Sequence, residues 1–333
     1  MLATETGEAF HLQDGWFDAW KAAFGGAFQR DGLTLVDGRE RLGPLGYRVL
    51  SSATNPHSVN YDVARACAVP PDLPKRLLTD AALVRLSYLH AESRLLAAAM
   101  GWRGSHRQIV APHALTPVID CRGSYDAWLA ARSRRFRQRL RRDEAQATGA
   151  MAMRFEVRRD DPASSGLLQR MFTLEQAGWK GAGGTAVQDD AATEHFYTEL
   201  ARNAAAAGAL RLALLWDGDR LVAFEYAILG GRRLFVLKVA YDERFADLSL
   251  GYVTAALHLR HCFAQPDIDR YDQMGNGMTP AGYKLRFTDD CETLYRVTLF
   301  APGLLGTILF FRDRARARVK AWRNAHRARA KQP

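Results

Sequence analysis

Glu225 and Lys238 are the only charges inside two otherwise apolar runs, LVAFEYAIL at 221–229 and LFVLKVAY at 234–241. Gly230-Gly231-Arg232-Arg233 separates the runs, and two strand-like segments around such a turn predict a β-hairpin. Counting outward from the turn sets Leu229 against Leu234 and Glu225 against Lys238, which puts carboxylate and ammonium on one face. Two chemistries fit. One is a structural ion pair. The other is a proton acceptor, because apolar surroundings make a carboxylate a stronger base and a nearby cation tunes it. The residues leave both open.

After the hairpin, DERFADLSLGYVTAALHLRHCF predicts a polar loop entering a helix, followed by a short strand, IDRYDQMG, the loop NGMTPAG and the cluster YKLRF. Upstream, Trp16, Phe17, Trp20 and Phe24 have helical spacing and are expected in a core. LTLVDG and GYRVL predict strands, and residues 51–69 a turn-rich start resuming as a helix around an Asn55-Pro56-His57 loop. A buried strand over 82–86 and a helix from about Ala91 follow. Ser124 caps a helix whose continuation carries seven arginines between Arg132 and Arg142. A strand at MAMRFEVRRD, a helix at LLQRMFTLEQAGWK and the loop Gly181-Ala182-Gly183-Gly184-Thr185 come next. That loop lacks the order of a nucleotide-binding P-loop. ATEHFYTELARNAAAAG is a further helix, and LRLALLWDGDRLVAF a hairpin turning at Asp217-Gly218.

The 333 residues are enough for two domains, and 48% hydrophobic with 25% charged residues suits a globular chain with a sizeable core. The N-terminal stretch carries acidic residues and no apolar signal region, and no run approaches a membrane span, so the expected location is cytoplasmic. Cys67, Cys121, Cys262 and Cys291 lack metal-ligand or disulfide spacing, so neither a metal nor a disulfide framework is expected. Of the formal +10 charge, residues 312–333 supply +8, nine Arg or Lys against one Asp. With the apolar stretch LLGTILFF before it, this basic segment predicts a helix able to lie peripherally on an anionic membrane, such as the inner membrane face; a soluble basic tail is the alternative.

The hairpin, the loop ending in Ser249-Leu250-Gly251-Tyr252, the strand around Tyr271-Asp272, the Tyr283-Lys284 pair, LEQAGWKGAGGTAV and the arginine-rich segment after Tyr125-Asp126-Ala127-Trp128 together resemble one family over roughly residues 110–300. It is the GNAT-superfamily acyltransferases of the cellulose-biosynthesis-associated CelD/BcsL-like type, related to the FemA/FemB-like transferases. The resemblance implies an α/β (α+β) fold of two GNAT-like mixed-sheet domains in tandem, the acyl-CoA N-acyltransferase fold. The domains are expected at 1–145 and at 146–300 (the catalytic one), followed by a basic helix or tail over 301–333.

It also implies transfer of an acyl group, most simply acetyl, from a coenzyme A thioester to an amine or hydroxyl of a saccharide, amino acid or secondary metabolite. Tyr241, Leu248, Ser249, Leu250, Gly251 and Tyr252 would hold the donor, because free N–H groups at a helix start and the helix dipole both favour phosphate. Only Gly251 fits the small final position of the general GNAT phosphate loop, Ser249 replaces its first glycine, and Asp247 is adverse to a pyrophosphate. A phosphopantetheine arm on an acyl carrier protein is therefore an alternative donor, and the basic runs suit such an acidic partner. Glu225 is the expected base, with Lys238 orienting it and Asp272 as rival. Tyr283 would protonate the leaving thiolate and Lys284 anchor an anionic or sugar group. Trp179, Lys180 and His57 would border the acceptor. An aminoacyl-tRNA-dependent FemA/FemB-like transferase is a further alternative, although the absence of an aromatic–basic RNA signature argues against nucleic acid. A non-catalytic membrane-apposed scaffold is the remaining one.

Overall fold

A computed structural model describes residues 9–64, 67–162 and 165–329. In chain order the elements are α1 (Asp14–Phe24), β1 (Ala27–Arg30), β2 (Leu33–Leu42), β3 (Leu45–Ser52), α2 (Leu73–Leu77), β4 (Leu83–Leu89), α3 (Arg94–Gly101), β5 (Gln108–Asp120), α4 (Tyr125–Ala130) and α5 (Arg134–Glu144). They continue as β6 (Arg154–Arg158), α6 (Leu167–Ala177), α7 (Trp179–Ala182), α8 (Ala191–Ala206), β7 (Leu210–Asp217), β8 (Arg220–Gly230), β9 (Arg233–Tyr241), α9 (Leu250–Phe263), β10 (Arg270–Asp272), β11 (Cys291–Phe300) and α10 (Leu304–Arg329). The fold is mixed α/β. Two compact units divide it: unit one is Met1–Gly25 with Ala114–Glu292, and unit two is Gly26–His113 with Thr293–Pro333. The sequence places its boundaries at 145 and 300 instead. Neither coincides with this division, because unit two interrupts unit one.

In unit one the strands run in the order β6-β7-β8-β9-β10-β5. All neighbours are antiparallel except β9 and β10, which are parallel. Both expected hairpins are present, with two-residue loops at Gly218-Asp219 and Gly231-Arg232, where Gly218 and Gly231 take positive φ of 55° and 65°. Gly230 is required for space, since a Cβ there would lie 2.2 Å from Nδ1 of buried His11. α9, α4 and α5 cover one face of this sheet in a cluster with Tyr125, Leu140, Leu259 and Tyr271. α6, α8 and α1 lie on the other, where the expected aromatic stripe of α1 meets Phe196 through Trp16 and Phe24.

The register of β8 and β9 overturns one expectation. Leu229 faces Leu234 as counted, but a bulge between Tyr226 and Ala227 leaves Leu237 as an extra residue of β9. Tyr226 therefore faces Lys238 and Glu225 faces Val239. A one-residue shift moves a side chain to the other face of a strand, so Glu225 and Lys238 lie on opposite faces of the sheet.

In unit two the order is β1-β2-β3-β4-β11. Leu309 of α10 packs with Tyr47, Val49, Leu83 and Phe300. The helical continuation expected within 51–69 does not form among the described residues. Residues 59–64 form neither helix nor strand, and the Tyr61 N–H bonds the Tyr88 carbonyl. Asp62 accepts from the Arg94 and Leu95 N–H groups, capping α3. Three residues later than expected, α3 starts with Ser93 as its N-cap, accepting from Leu96 N at 3.1 Å.

Candidate functional site

β9 and β10 pair only over Arg233–Phe235 and Arg270–Asp272. Beyond Asp272 the chain turns onto β5: Gln273 N–H bonds Pro117 O and Leu115 N–H bonds Gly277 O. Gly275 is needed for this approach, because a Cβ there would lie 1.7 Å from Leu115 O. From Val236 onward β9 thus has an open edge in unit one. Lys180 reaches that edge, its Nζ donating to Val239 O at 2.6 Å and to Glu175 Oε1 at 2.7 Å. Since the N–H and C=O of one residue in an antiparallel strand point the same way, the Val239 N–H also faces the opening.

Glu225 lies on the α9 face, 5% exposed. Its Oε2 accepts from Tyr271 Oη at 2.5 Å and from His258 Nδ1 at 2.8 Å. A carboxylate accepts at both oxygens, and Oε1 has no hydrogen-bond partner among the described residues. Neither His258 nor Tyr271 was singled out as a partner of Glu225 from sequence. His258 carried a signal: with Thr254 it falls on the apolar stripe of α9, and a polar residue at a core-facing position needs a partner.

Lys238 instead lies over the Tyr197 ring, 5.2 Å from its centroid and 3.8 Å from Glu175 Oε1. Burial lowers its pKa and Glu175 opposes that. The bulge therefore removes its expected role of orienting Glu225. Glu175, 1% exposed, also accepts from Val187 N–H at 2.9 Å. It continues the apolar spacing of Leu168, Met171 and Phe172, a signal sequence reasoning passed over.

Asp272 is 1% exposed and heavily engaged: it accepts from Thr116 Oγ1, from Met274 N at 2.8 Å and from Arg233 Nη1 at 3.1 Å. Arg233 donates in turn to Glu292 at 2.7 Å. This arrangement suits a structural tie better than a base. Tyr283 is 41% exposed, and its pKa is pushed up to about 12 by desolvation first and the charge of Glu225 second. It is protonated at neutral pH. Lys284 donates to the carbonyls of Gln273 at 2.5 Å and Met274 at 2.8 Å. Burial pulls its pKa down to about 8, with Asp272 opposing and Lys180 adding to the fall.

The helix start predicted to hold phosphate lies where expected. Ser249 takes a left-handed conformation (φ 49°, ψ 43°) as N-cap of α9 and makes no side-chain cap bond. Its hydroxyl accepts from Arg139 Nη2 at 2.7 Å. A shallow opening beside it is lined by Phe136, Arg139, Leu140, Asp143, Tyr252 and Arg286, besides Ser249 itself. Arg286 lies over the Tyr252 ring at 5.5 Å. At Gly251 a Cβ would come within 3.2 Å of the Tyr241 ring. Leu248 and Leu250 are buried in the core and present only backbone. His57 belongs to unit two, in a turn where its N–H bonds Asn55 Oδ1 at 3.0 Å. The Trp179 side chain lies outside the described residues. Among the described residues, no group of acidic, His and Cys side chains forms a metal site.

Residues 134–285 match the acetyltransferase (GNAT) domain family. The fold is similar to that of FemX, at 11% identity over 89% of this chain and 96% of that one, with a TM-score of 0.57. It is similar to L-PGS from Bacillus licheniformis, at 13% identity over 92% and 98% of the two chains, with a TM-score of 0.51. A conserved protein of unknown function from Bacteroides thetaiotaomicron is similar at 10% identity over 89% and 93%, with a TM-score of 0.58. No curated protein matches the chain.

Proposed function

We propose that this GNAT-domain acyltransferase takes its acyl group from a coenzyme A-type thioester, the pantetheine arm running along the open edge of β9. The observation that carries this reading is the start of α9. Its N-cap hydroxyl is turned to Arg139 rather than to the helix, and Arg139 and Arg286 line the space in front of it. Helix-start N–H groups with two guanidinium groups suit a phosphate.

A bound thioester supplies an acyl carbon open to attack and a thiolate leaving group. The Val239 N–H faces the open edge of β9 and is the donor proposed for the acyl oxygen. Glu225, through Oε1, takes the proton from the attacking amine or hydroxyl as the new bond to the acyl carbon forms. As the carbon–sulfur bond breaks, Tyr283 gives its proton to the sulfur and regains one from solvent, to which Glu225 releases the proton it took. The acceptor is an amine or hydroxyl of a saccharide, amino acid or secondary metabolite. The CelD/BcsL-like resemblance makes saccharides the first to test.

Thiol release and calorimetric titration with acetyl-CoA, longer acyl-CoAs and acyl carrier protein test the donor. Arg139→Ala and Arg286→Ala are each expected to weaken donor binding roughly ten- to hundredfold, as for loss of a charge-assisted hydrogen bond. Unchanged affinity in both variants would remove the α9 start as the phosphate site. A second reading, an aminoacyl group delivered on tRNA, is favoured by α5, where Arg134, Arg135, Arg141 and Arg142 are exposed. Salt-sensitive tRNA binding without acyl-CoA binding would establish it in place of the first.

α10 carries the proposed membrane contact. Leu304, Ile308, Phe311 and Val319 are exposed on a helix that also bears Arg312, Arg314, Arg316 and Arg318. Among the described residues no helix is long and apolar enough to cross a membrane. Co-sedimentation with phosphatidylglycerol vesicles, and none with phosphatidylcholine, is expected of the full chain. Ile308→Glu with Phe311→Glu should abolish it; equal sedimentation of that variant would rule the contact out.

A further inference from the structure

Arg296 of β11 is a partly buried arginine that no carboxylate among the described residues pairs with. Its Nε donates to Ser87 Oγ at 2.9 Å and its Nη2 to His113 Nε2 at 3.2 Å. Burial, then the like charge of Arg85, lowers its pKa. Arg85 itself is matched, its Nη2 donating to Glu40 Oε2 at 3.0 Å. A guanidinium has five N–H donors in a fixed fork, so Arg296 retains unclaimed donors beside a second arginine already satisfied.

The backbone opposite is unusual. Tyr295 pairs with Leu89 and Val297 with Leu86, so Ser87 and Tyr88 of β4 together face the single residue Arg296. Such a bulge re-aims a side chain. This one places Tyr88 at φ 61°, where a bulky residue costs about 1–3 kcal/mol and glycine would be free of strain. Tyr88 packs edge-on against His113, ring centroids 4.8 Å apart. Its hydroxyl has no hydrogen-bond partner among the described residues, and the charge of Arg296 opposes the rise that burial imposes on its pKa.

We propose that Arg296, with the Tyr88 hydroxyl beside it and His113 behind it, forms an anion-binding site in unit two for a carboxylate- or phosphate-bearing ligand. The guanidinium fork supplies charge-assisted bonds to two oxygens, Tyr88 donates a third, and Ser87 and His113 hold the fork in plane. The site shares no residue with the phosphate site proposed at α9.

Calorimetric titration of the full chain with inorganic phosphate and, in parallel, with succinate tests it against sodium chloride at equal ionic strength. Saturable binding is expected for at least one probe, and which one binds identifies the ligand group. Arg296→Met should lose it, and Tyr88→Phe, which removes one hydroxyl without disturbing the fold, should weaken it about tenfold. The loss on Arg296→Met should be seen equally in a chain that already carries Arg286→Ala, which removes any contribution of the α9 start. No binding beyond the chloride control, or binding that survives Arg296→Met in the Arg286→Ala chain, would overturn the proposal.

Discussion

Glu225→Gln is expected to lower turnover by roughly a hundred- to ten-thousandfold, the range for loss of a positioned base, with donor affinity unchanged. The amide keeps an oxygen that can accept from Tyr271 and His258, so the buried cluster stays bonded while the proton acceptor is lost. Single-turnover thiol release at saturating donor measures it, with calorimetry for affinity. Turnover within about threefold of the parent would mean that Glu225 is a buried structural charge and that the acceptor loses its proton elsewhere.

Asp272→Ala should act on the other axis. Asp272 and Arg233 have side chains only 1% and 14% exposed, and removing one partner of a buried pair costs about 3–5 kcal/mol. The lost bonds to Thr116 and Met274 also free the segment that leaves β10 for β5. The urea unfolding midpoint should fall steeply, and the protein that remains folded should keep most of its turnover. A stable Asp272→Ala variant without turnover would exchange the roles of the two carboxylates.

Local chemistry was legible where one or two residues dictate it. Gly-Gly announced the turn between β8 and β9, and Gly251 at a polar loop entering an apolar helix announced the start of α9. The bulge at Leu237 was not legible, because an extra residue in an alternating apolar strand leaves no mark on its composition. The pairing of Glu225 with Lys238 failed on that one residue. Glu175 and His258 were visible in principle as polar residues in phase with apolar stripes, but their partners come from elements far away in the chain. The stretch around Asp62 has a helical pattern of its own, yet Asp62 caps α3 and tertiary bonds override the local preference. The division into two units was not legible for a topological reason: a chain that leaves a unit at Gly25 and re-enters it at Ala114 shows no change of composition at either point.

That re-entry has a consequence for how the protein is made. α1 packs against α8, which begins only at Ala191. At ribosomal rates of roughly 5–20 residues per second, the aromatic face of α1 waits some ten to thirty seconds for its partner. Meanwhile most of the intervening unit emerges from the tunnel. Trp16, Trp20 and Phe24 are thus uncovered on every nascent chain for that interval, making this helix a natural holding point for a chaperone during synthesis and the place where slowed translation would first show as aggregation.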